Sequence, residues 1–462
     1  MEMSEIYQYI QIVSSESMRN WSVGSRLSMD NRYNQAYPHR RIGEILQRDM
    51  TPITVQDDTM YKRITIHSAG GGVEIRDEKL GKDIRTRKQY VIKAGQFVVS
   101  KIDARNGAFG VVPKEADGAI ITGNFWTFDV DYHQIVPEYL SLLTSTKEFM
   151  QFAESASNGT TNRHYLQESS FLEQEIPLPS VTEQRQIVDA YDAKINEAKG
   201  HDSQADELEA EMYRNVHQIL GINSTNHPVS QKDNYSEYKH LIFVESKDIR
   251  EWGYDSITGA TNSFIESDIY PNRPLGEVVQ INPRVDLTSL REDDEISFIP
   301  MECVSDAYGE WSDRRICLKS TSGGYTKFND GDLIWAKITP CMQNGKSAVV
   351  TDMVNGVGCG STEFYVLRRA DNRIDIHYLH LILRLPIVLS NAQKAFTGSS
   401  GQQRVPKSYL EKLIIPIPPI DVQREVRRYV ENVKSRQKSL RETAMMMRSK
   451  AKEEFKQIIF NN

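Results

Sequence analysis

Long apolar runs are missing from this chain of 462 residues. The longest, Leu379 to Leu389, is broken by Arg384 and Pro386, and the first residues carry Glu2 and Glu5 where a secretory leader would carry Lys or Arg. The expectation is a cytoplasmic protein with no membrane partner. Cysteine is scarce. The four thiols, Cys303, Cys317, Cys341 and Cys359, are spaced far too widely for the close pairs of a zinc knuckle, so they are expected to be reduced structural residues and no metal is expected. Cofactor motifs are missing too. Gly70-Gly71-Gly72, Gly323-Gly324 and Gly356-x-Gly358-x-Gly360 do not open helices and read as turns or bulges; there is no P-loop. An adenine or cytosine methyltransferase would need a Pro-Pro-aromatic loop and a Gly-rich cofactor turn, and neither occurs. No catalytic residue and no cofactor are therefore expected.

What the chain does have is nearly the same text twice. Val13-x-Ser15-x-x-Met18-Arg19-x-Trp21 recurs as Val244-x-Ser246-x-x-Ile249-Arg250-x-Trp252, and Ile-Gly-Glu-Ile-Leu-Gln (42–47) as Leu-Gly-Glu-Val-Val-Gln (275–280). Gly95-x-Phe-Val-Val-Ser-Lys101-Ile is answered by Gly331-x-Leu-Ile-Trp-Ala-Lys337-Ile. Finally, Pro177-x-Pro179-x-x-x-x-Gln184-Arg185-x-Ile187 returns as Pro416-x-Pro418-x-x-x-x-Gln423-Arg424-x-Val426. The separation grows slowly along the chain, as small insertions would make it, and is far too long for a solenoid repeat.

Each copy reads as a mixed α/β domain. In the first, short β-branched and aromatic runs such as Phe97-Val98-Val99 and Phe125 to Val130 lie between Gly, Asp and Asn turns, and a helical stretch follows from Val136 to Phe152. The second repeats that helix from Ile376 to Leu389, and polar loops follow at Asn158-Gly159-Thr160-Thr161 and Thr397-Gly398-Ser399-Ser400. The Pro-x-Pro pair sets a stiff extended exit into a long helix. Ser180 with Glu183 has the form of a capping box, and Asp421 suits the N-cap of the second helix. Apolar residues then recur at coiled-coil spacing, with Asp202 expected to interrupt the first helix near Gly200.

Charge is segregated beneath a net of −7. Between Tyr61 and Arg105 the chain holds a local excess of about +6, of the kind that follows phosphate backbones. Residues 183–221 come to about −5 and residues 421–456 to about +5, which suits pairing of the two long helices. A pseudo-twofold makes that pair antiparallel, a spacer of roughly 54 Å at 1.5 Å per residue. The alternative is that each apolar stripe only seals its own domain. Outside the shared motifs, residues 48–90 and 284–327 have little in common, as expected of two related scaffolds reading two different half-sites.

One pattern resembles chemistry. Asp233 followed by Glu245-x-Lys247 has the shape of a Mg²⁺-dependent nuclease site. In the other copy Ser14 and Glu16 stand at the places of Glu245 and Lys247, so the shared residues there look structural.

Two variable domains, each closed by Ile-Pro-x-Pro-x-x-x-x-Gln and a long helix, resemble the specificity (S) subunit of type I restriction-modification systems over essentially the whole chain. The residues that carry the likeness are Ile176 to Pro179 with Gln184, Ile415 to Pro418 with Gln423, the strands ending at Lys101 and Lys337, and the Gly159 and Gly398 loops. The resemblance implies two target-recognition domains on double-stranded DNA. It also implies two docked methyltransferase (modification) subunits that bring S-adenosylmethionine and the adenine chemistry, with room for restriction subunits. The expected layout is a first recognition domain over 1–182, a spacer helix over 183–222, a linker over 223–240, a second domain over 241–420 and a second helix over 421–462. Candidate DNA-contacting residues are Lys62, Arg63, Arg76, Arg85, Arg87, Lys101 and Arg163 in the first copy, and Arg314, Arg315, Lys327, Lys337 and Arg404 in the second. A stand-alone bivalent DNA-binding regulator remains the other reading, distinguished by tight binding without a methyltransferase.

Overall fold

A computed structural model describes residues 33–158, 164–222, 265–399 and 401–460. The Val13–Trp21 and Val244–Trp252 motifs, Asp233, Glu245, Lys247 and Arg163 lie outside the described residues. The chain forms two compact units, one of residues 1–201 with 443–462, the other of residues 202–442.

The first unit is built on a four-stranded antiparallel sheet in the order Leu46–Arg48, Phe125–Val130, Phe97–Ser100, Phe109–Val111. Every residue of Phe97–Ser100 is buried, because both faces of that strand are covered. Side chains alternate across a strand, so its neighbours serve different cores. Phe97 and Val99 join Trp126, Phe128, Tyr139, Leu143 and Phe149 under the helices Pro137–Thr144 and Lys147–Ser155. Val98 instead joins Ile64, Ile66, Ile92 and Ile121. Those belong to or border a five-stranded sheet in the order Thr51–Thr54, Lys88–Val91, Ile120–Ile121, Met60–Ile66, Val73–Leu80.

The second unit repeats the first sheet and replaces the second. Val279–Ile281, Phe364–Arg369, Leu333–Ala336 and Ser347–Val349 take the same order and pairing. Leu333 and Trp335 face the helices Ile376–Leu383 and Pro386–Lys394, while Ile334 and Ala336 face Ile299, Cys303 and Phe328. The outer sheet here has four strands, Arg315–Leu318, Glu295–Ile299, Val357–Gly360 and Thr326–Asn329.

The Pro-x-Pro exits are fastened identically. Glu175–Pro177 pairs with His39–Arg41, and Ile414–Pro416 with Asn272–Pro274. The Tyr139 hydroxyl donates to the Pro177 carbonyl at 2.9 Å, and Tyr378 to Pro416 at 3.0 Å. Gln184, fully buried, accepts from the Val136 N–H at 2.8 Å and donates to the carbonyls of Gln134 and Pro179 at 2.9 and 2.8 Å. Gln423 makes the same three bonds, to Asp375 N–H and to the carbonyls of Arg373 and Pro418, each at 2.8 Å. The invariant spacing between proline and glutamine in the two copies thus positions one amide to staple the start of a helix to its domain.

The long helices run Val181–Leu220 and Ile420–Ile459, 40 residues each. Ser180 and Glu183 form the capping box, the Ser180 N–H donating to Glu183 Oε2 at 2.9 Å and the Glu183 N–H to Ser180 Oγ at 3.3 Å. Two sequence expectations are corrected. The first helix passes through Gly200 unbroken, since one glycine costs a helix only about 1 kcal/mol. Asp421 lies within the first turn of a helix that already begins at Ile420, so it complements the helix dipole rather than capping it.

Within each unit the two helices pack antiparallel. In the first, Tyr191 meets Phe455 edge to face, and Lys194 pairs with Glu454. In the second, the Gln437 amide donates to the Ala205 carbonyl at 2.9 Å, Arg441 pairs with Asp206 at 2.8 Å, and the Asn215 amide donates to Tyr429 Oη at 2.7 Å. Buried Ala198, Ala205, Met212, and on the other helix Val430, Gln437, Ala444 and Ala451, recur at heptad spacing, as a coiled-coil seam requires. The helix ends do more: Val188 and Phe455 enter one domain core, Val216 and Val426 the other. Among the described residues no helix is long and apolar enough to cross a membrane.

Candidate nucleic-acid interface

In the first unit the basic residues gather on the outer sheet. Arg63, Arg76 and Arg85, with Lys79, line a depression of about 440 Å³ whose wall includes the buried Gln89. Their neighbours divide them into two kinds. Arg63 is held by Asp77 in a bidentate pair at 2.7 and 2.6 Å, and that guanidinium keeps the Asp77 carboxyl below its ordinary range. Arg87 is tied to Asp57 at 2.6 Å and to the Gly81 carbonyl, and Lys62 donates to the Glu115 carbonyl at 3.1 Å. Arg76 reaches Asp77 only at 3.5 Å, and neither Lys79 nor Arg85 forms an ion pair with a described carboxylate. Lys79 and Arg85 therefore keep their charge, while Arg76 shares Asp77 with Arg63.

Lys101 stands apart from that depression. Its ammonium sits 5.3 Å from the centre of the Trp126 ring, and burial together with the nearby Arg48 pushes its pKa down. In the second unit Lys337 sits 5.3 Å from the Tyr365 ring. Trp126 and Tyr365 occupy equivalent places: Trp126 pairs across the sheet with Val99, Tyr365 with Trp335. Neither lysine forms an ion pair with a described carboxylate. Each also holds the returning chain, since Leu166 N–H donates to the Lys101 carbonyl and Val405 N–H to that of Lys337, both at 2.9 Å.

The remaining second-copy candidates are mostly engaged. Arg315 pairs with Asp313 at 2.7 Å and Glu302 at 2.9 Å, Lys327 donates to the carbonyls of Ser322 and Tyr325, and Arg404 grips Glu363 at 2.9 and 2.8 Å. Arg314 lies over the Trp311 ring at 5.6 Å, with Asp352 3.8 Å away. Sequence reasoning overlooked Arg48, which stacks on Trp126 and Phe128 and pairs with Glu168, and it overlooked the exposed Ile316 and Leu318 on the edge strand Arg315–Leu318. Alternation along that strand was the signal available for the latter pair.

The four cysteines are free thiols, and burial pushes that of Cys359, 3.5 Å from the Cys317 sulfur, up to about 12. Among the described residues no cluster of three His, Cys, Asp or Glu side chains could hold a metal ion.

Residues 37–210 and 270–443 each match the family described as the type I restriction modification DNA specificity domain. The chain belongs to this family. Two copies of the specificity domain thus account for the duplication. The specificity subunit of the Escherichia coli type I restriction enzyme EcoEI is 40% identical over 146 residues, 31% of this chain and 24% of that protein. That of EcoAI, also from Escherichia coli, is 38% identical over 153 residues, 33% of this chain and 26% of that one. The chain spans about a quarter of these curated relatives. In fold it is similar to a chain from a solved structure concerned with complex assembly and conformational transition of the type I R-M system. That match has a TM-score of 0.54 and 17% identity, over 92% of this chain and 97% of the other.

Proposed function

We propose that this chain is the non-catalytic DNA-recognition subunit of a type I restriction-modification complex. It reads a bipartite target in double-stranded DNA, one half through residues 1–182 and the other through 241–420, and it acts in the cytoplasm. The paired helices, assigned to 183–222 and 421–462 and joined to the second domain by 223–240, dock two methyltransferase subunits. Those subunits supply S-adenosylmethionine and the chemistry, and restriction subunits join the same assembly.

The observation that carries the reading is a constant inner sheet, stapled the same way in both units, beneath outer sheets of different strand number and order. Phosphate contacts can be shared between two half-sites, whereas base contacts must differ. Arg76, Arg85, Lys101 and Arg163 in the first copy, with Arg314 and Lys337 in the second, are the leading contact residues. Lys62, Arg63, Arg87, Arg315, Lys327 and Arg404 shape the surface that presents them.

The test is mild affinity purification of the tagged chain from its native cells, followed by native mass measurement. Two methyltransferase copies per chain and specific binding to duplex DNA support the reading. A lone chain that binds its site tightly replaces it with a stand-alone regulator.

A further inference from the structure

The second unit holds a cavity of about 630 Å³ that shares only Arg314 with the proposed DNA contacts. Its walls are the loop Tyr308–Trp311 with Arg314, the helix segment His377–Leu381, and the face of the second long helix that presents Arg427, Val430, Lys434 and Lys438. Those helix positions are three or four residues apart, so they share one face. Four cations line the space against two carboxylates, Glu310 and Glu431. Both carboxylates are engaged, Glu431 with Arg427 at 2.7 Å and Glu310 with Lys438 at 3.8 Å.

Lys434 is different. It is half-buried and forms no ion pair with a described carboxylate; the Arg384 cation acts on it most strongly, with Glu209, Glu310 and Glu431 offsetting part of that repulsion. Among the described residues Arg384 donates to the backbone carbonyls of Gly345, Asp306 and Ala307, and the Asp306 and Glu209 carboxylates act on it without pairing. Burial and this repulsion push Lys434 down to about 8. Gly309 permits the arrangement, because a Cβ there would lie 2.7 Å from the His380 ring and 3.0 Å from the Arg384 guanidinium. Two cations at the mouth are aimed by aromatic rings, Lys438 5.2 Å from Tyr308 and Arg314 5.6 Å from Trp311. No described carboxylate pairs directly with Lys434, so part of its charge is left for an anion in the cavity, which would relieve the cost of burying it.

We propose that this cavity is a phosphate seat centred on Lys434, with Lys438 and Arg314 closing over the bound group. Its size suits an oligophosphate or the phosphates of a nucleotide, since ligand pockets run to about 300–1,000 Å³. Two sources share that chemistry, a free oligophosphate and the backbone of duplex DNA.

The experiment is calorimetric titration of the full-length chain with inorganic pyrophosphate, without DNA, beside the salt dependence of duplex binding. The expected result is pyrophosphate binding that weakens about tenfold or more in K434M, survives in K434R and falls less in K438Q, as removal of one charge-assisted contact predicts. Lack of pyrophosphate binding, together with a DNA salt slope that falls by about one in K434M, assigns the seat to a backbone phosphate. Pyrophosphate binding equal in wild type and K434M, or no change in either measurement, overturns the proposal. Because the first arm contains no DNA, its failure is separable from failure of the recognition reading. Should K434M not fold, the double variant R314Q/K438Q is read by the same criterion.

Discussion

The Lys101 ammonium lies 5.3 Å from the centre of the Trp126 ring, and no described carboxylate pairs with it. An aromatic face orients a cation without cancelling its charge. The Lys337–Tyr365 pair repeats the device at the same distance. If both lysines meet backbone phosphates, K101Q and K337Q should each lower the slope of log affinity against log salt by about one and leave sequence preference intact. Altered preference with an unchanged slope would contradict this assignment.

Lys79 and Arg85 keep their charge, whereas Arg63 is consumed by Asp77. The double variant K79Q/R85Q should weaken duplex binding and flatten its salt dependence while thermal stability stays near that of the parent. R63Q should chiefly lower the melting temperature, because it strands the partly buried Asp77. Equal effects of the two changes on affinity and on melting would refute the division.

Gln184 and Gln423 each satisfy one backbone N–H and two carbonyls. Q184L or Q423L should therefore cost about 1–3 kcal/mol, the penalty for buried polar groups left without partners. Denaturant unfolding measures it, and a loss no greater than that from a surface glutamine would show that water replaces the amide.

Arg404 holds the Glu363 carboxyl below its ordinary value of 4.5. A carboxyl depressed in the folded state stabilises fully above its unfolded pKa and loses that contribution as pH falls through the folded one. Stability that rests on this pair should thus persist at neutral pH and decline only below about pH 4.5, and E363Q should flatten that acid limb. A pH profile unchanged by E363Q would exclude the pair as its source.

Gln437 occupies a heptad position on the helix seam and bonds to the Ala205 carbonyl. A single polar residue in such a seam fixes register at a cost in stability. Q437L should raise the midpoint of unfolding and broaden the distribution of inter-helix distances measured by paired spin labels between residues 208 and 433. A sharper distribution would show that the amide sets no register.

The repeated motifs make the constant half of the molecule legible in the amino-acid sequence alone. Identical residues at nearly constant separation have to hold equivalent places, and the strands ending at Lys101 and Lys337, the exits and the glutamines do so. Which cations remain free is not legible there. Asp77, Asp57 and Glu363 reach their arginines only once strands and turns bring them together, and composition counts a paired arginine like an unpaired one. The helix through Gly200 escapes sequence reasoning for a related reason: local propensity suggests a break, but Ala198 and Ala205 on either side pack at a seam that holds the turn between them. Lys434 gives no sign of its role, because a lysine on a basic helix looks exposed until its face is seen to close a cavity.

The strand Phe97–Ser100 meets one core through Phe97 and Val99 and another through Val98, and Leu333–Ala336 is divided in the same way. Mutational drift on one side of such a strand need not be felt on the other. A lineage that changes residues on the outer side of these strands alters the sheet they support while the stapled side keeps its shape.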